Sequence, residues 1–435
     1  MKLVILLVIF AFTLPASQAA QVDESFWISL DEVALGLLQQ KYPKLETLPR
    51  HQDRSAAEAD VDPKQDRIYL ARVTASQRDD LIRMVHDQLH HCAGFFAFDS
   101  LSEAMQWLDA PTHLGTQTRP DYGIDYQSVV APMLATMSAV HIGNTIVSLS
   151  SFQNRYYNGS HGAQAADWLA DTWLAMAVSR PDVSVEKVNR GSDAMPSVVL
   201  TIEGAELADQ VVVVGAHLDS VNVVDRGGAS HANSIAPGAD DDASGVAGLT
   251  EIFRQLMASG FRPQRTIQLM AYSGEEFGLY GSRFIAADYA GREVDVVGVL
   301  QLDMTNYKGS QSDIYLIDDY TDLLQNQFLV DLLDAYLPTL TVAYSRCGYA
   351  CSDHASWHLN GYVASFPFEA QFGDDNPYIH SSGDTFANSG EQAAHALKFS
   401  RLGLAYVVEL GEVSGEQIHR DGFESVVAAG LDKKF

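Results

Sequence analysis

The stretch PGADDDASG at residues 237–245 sets three aspartates side by side: Asp240, Asp241 and Asp242. Adjacent carboxylates repel. A helix start favours negative charge by only about 0.3–1 kcal/mol, which does not account for three. Other candidate groups follow apolar, strand-like runs. His217 and Asp219 follow VVVVGA, Glu275 and Glu276 follow TIQLMAYSG, and Asp303 follows VVGVLQL. In an open α/β sheet, positions of this kind converge beyond the carboxyl ends of the strands. A multivalent cation explains the crowding, because His and carboxylate are suitable zinc ligands. A two-metal site needs a bridging carboxylate, and one aspartate at a helix start can offer an oxygen to each metal while its neighbours bind backbone amides. Taken singly, each residue has a plainer reading: His217 a hydrogen-bonded strand-end histidine, Asp303 a loop cap, the glutamate pair a solvated face. Their coincidence at equivalent strand ends favours metal. Within the pair, one glutamate can bind metal while the other, off the metal, acts as general base.

Such groups need a rigid frame. The nearly continuous apolar runs VVVV and VVGVLQL indicate strands buried on both faces. Strand-like SVVLTIEG, QVVVVGAHLDS, TIQLMAYS and DVVGVLQLDM alternate with helix-like segments at 162–178, 242–260 and 280–290. The expected fold is α/β, a mostly parallel mixed sheet sandwiched between helices, over residues 121–415. A small α+β unit precedes it. It comprises a strand over 67–74, a helix opened by Ser76 and Asp79 as a capping box, a strand over 94–100 and a helix over 101–108. Leu81, Ile82, Val85 and Leu89 fall at helical spacing. Residues 21–65 are polar and weakly patterned, 109–123 read as a linker with prolines and glycines, and 416–435 as a tail.

The 435 residues are 47% apolar and 19% charged, as in a globular protein. The net charge of −28 excludes nucleic acid and anionic membrane surfaces as partners. At the N-terminus Lys2 precedes an apolar run over 3–14, and Ser17 and Ala19 suit the −3 and −1 positions of a signal-peptidase site. This predicts a signal peptide over 1–20 and a secreted protein. The run is too short to span a bilayer comfortably, and no later stretch qualifies. In an exported chain two of the three cysteines pair. Cys347 and Cys351, four apart in CGYAC, allow a small closed loop and leave Cys92 alone.

The blocks GAHLDS, APGADDDASG, AYSGEEFGLYGS, LQLDMTNYKGS, CGYACSDHASWH and NPYIHSSGDT resemble, in order, those of the secreted bacterial leucyl aminopeptidases of the Vibrio/Aeromonas type, a co-catalytic dizinc family. The resemblance runs from about residue 126 to 412. It implies two Zn2+ per chain, with His217 and Asp303 on one, Glu276 and His380 on the other, and Asp241 bridging. It implies Glu275 as general base and Asp219 as the carboxylate that orients the His217 imidazole. His380 lies in a Pro/Ser/Gly-rich loop and carries no pattern signal of its own. The resemblance also implies an apolar cup of Met304, Phe368, Phe372 and Ile379 for the substrate's first side chain. Tyr349, inside the Cys347–Cys351 loop, would donate a hydrogen bond to the scissile carbonyl. Two departures stand out. Asp375 occupies a rim position where the family can place an aromatic, and the 220–236 loop, with Arg226 and His231, is longer.

The implied activity is hydrolysis of N-terminal peptide bonds, preferably after large apolar residues, on peptide or protein N-termini by a secreted monomer. Residues 21–120 would be a removable pro-segment that chaperones or inhibits the catalytic unit, cut in the stretch containing Pro111 and Pro120. Three alternatives stay open. A related dizinc carboxypeptidase or deacylase calls for arginines near the strand ends, a glutaminyl cyclase for a single zinc, and a non-catalytic binding domain of this fold for lost ligands.

Overall fold

The computed structural model describes residues 25–52, 67–89, 94–109 and 118–414. The expected signal peptide, Cys92, the middle of the linker and the C-terminal tail lie outside the described residues.

The N-terminal unit runs β1 (Ser25–Leu30), α1 (Glu32–Lys41), β2 (Glu46–Gln52), β3 (Arg67–Thr74), α2 (Ala75–Leu89), β4 (Ala97–Phe98) and α3 (Leu101–Asp109). Its sheet has the order β2-β3-β1-β4, with antiparallel pairing throughout. Within the weakly patterned stretch 21–65, residues 25–52 supply two strands and a helix. Their pattern is faint because α1 buries one short stripe, Ala34, Leu35, Leu37 and Leu38, and β2 is an edge strand held by backbone pairing. Two expectations need correction here. The strand expected over 94–100 shrinks to Ala97–Phe98, because the Ser29 hydroxyl accepts the Phe96 N–H at 2.9 Å where a ladder carbonyl would. The box that opens α2 is Thr74 with Gln77, not Ser76 with Asp79. Thr74 N donates to Gln77 Oε1 at 2.9 Å and Gln77 N to Thr74 Oγ1 at 3.3 Å.

The second unit runs α4 (Gln127–Thr136), α5 (Ala139–Ser150), α6 (Ser160–Met176), β5 (Val183–Val188), β6 (Ser197–Ile202), β7 (Leu207–His217), α7 (Ala243–Ala258), β8 (Arg265–Tyr272), α8 (Tyr280–Gly291), β9 (Asp295–Gln301), β10 (Ile314–Ile317), α9 (Leu323–Tyr336), β11 (Val342–Ser345), α10 (His354–Leu359), β12 (Ala364–Phe368) and α11 (Ala396–Gly411). The strand order is β11-β10-β12-β9-β7-β8-β6-β5. The centre, β8-β7-β9-β12, is parallel, while β6 and β5 at one side and β10 against β12 at the other are antiparallel. Alternation along β7 shows why the valine run is unbroken. Val212 and Val214 pack with residues of α4, α5, α6, α7, α9 and α11, and Val211 and Val213 with Ile285 of α8 and Trp357 of α10 on the opposite face. This is the expected helix–sheet–helix sandwich.

The two units share their cores. Ile28, Leu30, Leu38 and Val85 pack with Val221, Val223, Phe277 and Tyr280, and Trp27, Ile68 and Phe98 with Leu279, Tyr320 and Ala350. Each large apolar side chain so buried is worth about 1.5–3 kcal/mol. Two glycines permit the approach. A Cβ on Gly94 would stand 2.1 Å from Ala350 O, and one on Gly278 2.4 Å from Ala97 Cβ. The chain re-enters the second unit at Thr118, whose N and Oγ1 donate to Asp295 at 3.0 and 2.8 Å, and Arg119 pairs with Asp322 at 2.7 Å.

Candidate metal centre and active site

His217 ends β7, Asp303 follows β9, Glu275 and Glu276 open the turn after β8, and Asp241 precedes α7. Parallel neighbours deliver the first four to one side of the sheet, and the loop before α11 brings His380 to them. Two donor groups result: His217, Asp241 and Asp303, and Asp241, Glu276 and His380. In each group the ligand atoms lie within 4.8 Å of one another. His217 Nε2 is 2.9 Å from Asp241 Oδ1 and 3.5 Å from Asp303 Oδ1. His380 Nε2 is 2.9 Å from Glu276 Oε2 and 3.2 Å from Asp241 Oδ2. Asp241 thus turns one oxygen to each histidine. All five side chains are buried, and Asp241 Oδ2 and Asp303 Oδ1 accept no hydrogen bond there. Buried carboxylate oxygens crowded against imidazole nitrogens, in a His/carboxylate set, fit divalent zinc.

The outer aspartates of the triplet hold the backbone. Asp242 accepts from His217 N at 3.0 Å, Gly245 N at 2.8 Å and Met304 N at 3.2 Å, tying three ligand-bearing segments together. Asp240 accepts from Asn306 N at 2.9 Å and Asn376 Nδ2 at 3.0 Å. Asp384 accepts the N–H groups of Asp240 and Asp241, both at 3.1 Å. Ser352 Oγ donates to Asp303 Oδ2 at 2.6 Å. Arg155, fully buried, donates to Leu218 O at 2.7 Å and Gly238 O at 2.8 Å, joining the loop after β7 to the loop before α7. Sequence reasoning missed Asp384, Asn376, Ser352 and Arg155. The first three sit inside recognised blocks and had a signal, whereas Arg155 had none. Met304 and His380 take positive φ, 54° and 56°, which is uncommon outside glycine. Asp242 holds Met304 N, and the N–H groups of Val223 and Val224 donate to His380 O at 3.0 and 3.3 Å.

Asp219 faces two partners. Its Oδ1 stands 3.6 Å from His217 Nδ1, the imidazole it was expected to orient, and accepts from Glu275 N at 3.0 Å. The second contact, which positions the expected base, was not foreseen.

Charge in this pocket is lopsided. Burial, with repulsion from Asp384, pushes Asp240 up to about 8. Burial and the Asp241 charge raise Glu276 and Asp384 to about 7, and burial takes Glu275 well above the ordinary glutamate value. Burial opposes the charged form of His217, but Asp303, Asp219 and Asp241 outweigh it and hold the imidazole high. So much buried acid calls for a cation.

Met304, Tyr349, Phe368 and Ile379 form one buried cluster with Ile317, Cys351 and Phe366, and Phe372 packs against it. All five expected pocket residues meet there. Ile317 and Phe366 were missed because a buried strand residue looks the same whether it lines a pocket or a core. Cys347 and Cys351 are bonded, S–S 2.02 Å, and the Tyr349 ring between them lies 5.9 Å from that of Phe372. The long 220–236 loop grips the N-terminal unit, with Arg226 Nη2 and His231 Nε2 both 2.8 Å from Asp79 Oδ2 on α2. Further along the same helix the His86 ring stands 5.8 Å from that of His380.

Residues 197–404 match peptidase family M28. Leucine aminopeptidase 1 of Coccidioides posadasii is 33% identical over 329 residues, 72% of this chain and 81% of its own. A probable leucine aminopeptidase of Arthroderma otae is 33% identical over 311 residues, 69% of this chain and 83% of its own. Among solved structures, the LapA aminopeptidase of Legionella pneumophila superposes with TM-score 0.71 at 28% identity, covering 90% of this chain and 99% of its own. A match that long extends beyond the second unit into the N-terminal one. A zinc aminopeptidase of Bacillus subtilis, 15% identical with TM-score 0.51, matches 64% of this chain and 96% of its own and shares the fold alone. With the relatives, the sheet and the buried donor set in agreement, the chain belongs to peptidase family M28 and is an aminopeptidase of that family.

Proposed function

We propose that this chain is a two-zinc, secreted aminopeptidase of the Vibrio/Aeromonas type that releases first residues with large apolar side chains from peptide and protein N-termini. The observation that carries this reading is the pair of donor groups sharing Asp241. His217, Asp241 and Asp303 would hold one zinc, and Asp241, Glu276 and His380 the other. Zinc there supplies Lewis acidity toward the carbonyl and lowers the pKa of water toward neutrality. Glu275 takes the proton of the attacking water and passes it to the leaving amine. Asp219 fixes Glu275 through its backbone N–H, and Ser352 fixes Asp303. Met304, Phe368, Phe372 and Ile379 wall the first side chain, and Tyr349 donates to the carbonyl oxygen as it gains charge.

Residues 21–120 act in this reading as a pro-segment that keeps the site closed. Burial of every expected ligand, with His86 against His380 and Gly94 against Tyr349, supports it. Metal analysis together with leucyl-amide turnover tests the proposal. Two zinc per chain with hydrolysis is the expected result. One zinc with full activity sinks the two-metal reading, and cleavage from the carboxyl end of peptides sinks the aminopeptidase reading.

A further inference from the structure

Arg226 and His231, both on the long 220–236 loop, converge on one carboxylate of the N-terminal unit. Arg226 Nη2 and His231 Nε2 each stand 2.8 Å from Asp79 Oδ2. The second unit holds both groups in place by itself. The His231 ring is buried against Phe277, edge-on at 5.0 Å, and against Tyr156, stacked at 5.4 Å. Arg226 Nη1 donates to Ala229 O at 3.1 Å. The same loop is tied to the metal centre. The N–H groups of Val223 and Val224 donate to His380 O, and Phe277, against which His231 packs, directly follows Glu276. Helix α2 gives the spacing. Asp79 and His86 lie seven positions apart on it, which puts them on one face about 10 Å apart along the axis. The His86 ring meets that of His380, and beyond the helix Gly94 lies against Tyr349 of the cup. From Asp79 to Gly94 the N-terminal unit thus runs from the loop, past a metal ligand, to the cup. An extended peptide covers 10 Å in about three residues.

We infer that Arg226 and His231 form a carboxylate subsite of the active enzyme, filled by Asp79 while the chain is uncut and by the substrate afterwards. The substrate group is a carboxylate about three residues beyond the first, either an acidic side chain or the C-terminus of a short peptide. The inference rests on the reading of residues 21–120 as a pro-segment. Asp79 then occupies the place of a substrate group, and its geometry is that of the bound state. Arginine stays charged at any working pH, and its fork suits a carboxylate. His231 donates through Nε2–H, which a neutral imidazole also supplies. Both groups sit in a loop longer than the family pattern, so the subsite is a feature of this chain rather than of the shared metal centre.

The test uses the full chain, cut by limited proteolysis between Asp109 and Thr118 and diluted. The substrates are leucyl tetrapeptide amides with one glutamate at the second, third or fourth position, each paired with its glutamine counterpart. An all-alanine leucyl tetrapeptide, as free acid and as amide, tests the C-terminal source. The readout is the ratio of kcat/KM within each pair. A ratio of about tenfold to a hundredfold is expected, carried mainly by KM and largest at the fourth position, the range for a hydrogen bond to a charged group. A preference for glutamate among the amides identifies a side chain as the source, and one confined to the free acid identifies the C-terminus. Arg226→Gln should bring the ratio towards one, and Arg226→Lys should restore part of it. A ratio near one for every pair in the parent enzyme overturns the inference, whatever the variants do, and leaves the pro-segment reading standing. An undiminished ratio in Arg226→Gln also overturns it, because another group then reads the carboxylate. Full turnover by the uncut chain overturns the pro-segment reading and the inference with it, since Asp79 then fills the site permanently.

Discussion

Asp241 is the residue that both donor groups share, and Glu275 the one on which proton transfer depends in the proposed mechanism. Asp241→Ala removes the oxygen facing each histidine, so zinc content and activity should fall together when measured on one preparation. Retention of both metals would refute the bridging role. Glu275→Gln keeps the Asp219–backbone contact, because that bond uses the Glu275 N–H. It should therefore fold, keep its metal, and lose kcat by about 10²–10⁴-fold. Near-parent turnover by a metal-loaded variant would end the case for Glu275 as base. Legibility at this scale followed position. His217, Glu276 and Asp303 were readable because parallel strands end together, and the triplet because three adjacent acids resist any local explanation. His380 came only from the resemblance, since a loop histidine has no periodicity to betray it. Asp219 stands 3.6 Å from the imidazole it was expected to face, but its bond from the Glu275 N–H at 3.0 Å was not foreseen, because a backbone donor on a neighbouring turn leaves no mark in the sequence.

At the scale of elements, α2 links the two units. Near its start Asp79 takes two bonds from the 220–236 loop, and near its end His86 meets His380. The Asp79 carboxyl, though buried, is held low, at about 2, by His231, Arg78 and Arg226, so it stays charged across the physiological range. Hydrogen bonds to a charged group contribute about 1.5–3 kcal/mol each. In the pro-segment reading, Asp79→Ala should raise leucyl-amide turnover by uncut chain about tenfold or more, without altering turnover after the N-terminal unit is removed. An uncut variant as silent as its parent would show that Asp79 is not the anchor. The sequence marked α2 as a helix by its spacing, yet it also suggested Asp79 as a cap. A short acidic side chain near a helix start satisfies that pattern whether it turns inward or reaches across an interface. The strands and helix within 25–52 stayed hidden for a related reason: an edge strand and a one-stripe helix need few apolar residues.

At the scale of the whole molecule, the α/β sandwich was the most legible feature, because strands buried on both faces spell themselves in unbroken valine runs. The same burial makes the metal-free protein pH-sensitive. Asp240, Glu276, Asp353 and Asp384 are carboxyls raised to about 7 or 8, above their unfolded values near 4. The folded state then binds more protons between those limits, so the stability these four groups contribute is full below about pH 4 and is lost as pH rises through about 7–8. Chelator-treated protein should melt at progressively lower temperature from pH 5 to pH 8, and zinc should flatten the trend. A melting temperature that rises over this range without metal would contradict the charge assignment.

The N-terminal unit reaches the second through one covalent connection, from Asp109 to the anchored Thr118. While that connection is whole, the two faces meet at the effective concentration of tethered partners, which reaches the millimolar range for short links. One cut there breaks no contact between them. It turns a unimolecular equilibrium into a bimolecular one, so the N-terminal unit leaves only when the solution is dilute relative to its own affinity. In the pro-segment reading, activation on this architecture takes two events, a peptide-bond cleavage and a dilution, and a concentrated stock of fully cut enzyme would remain silent until it is spread thin.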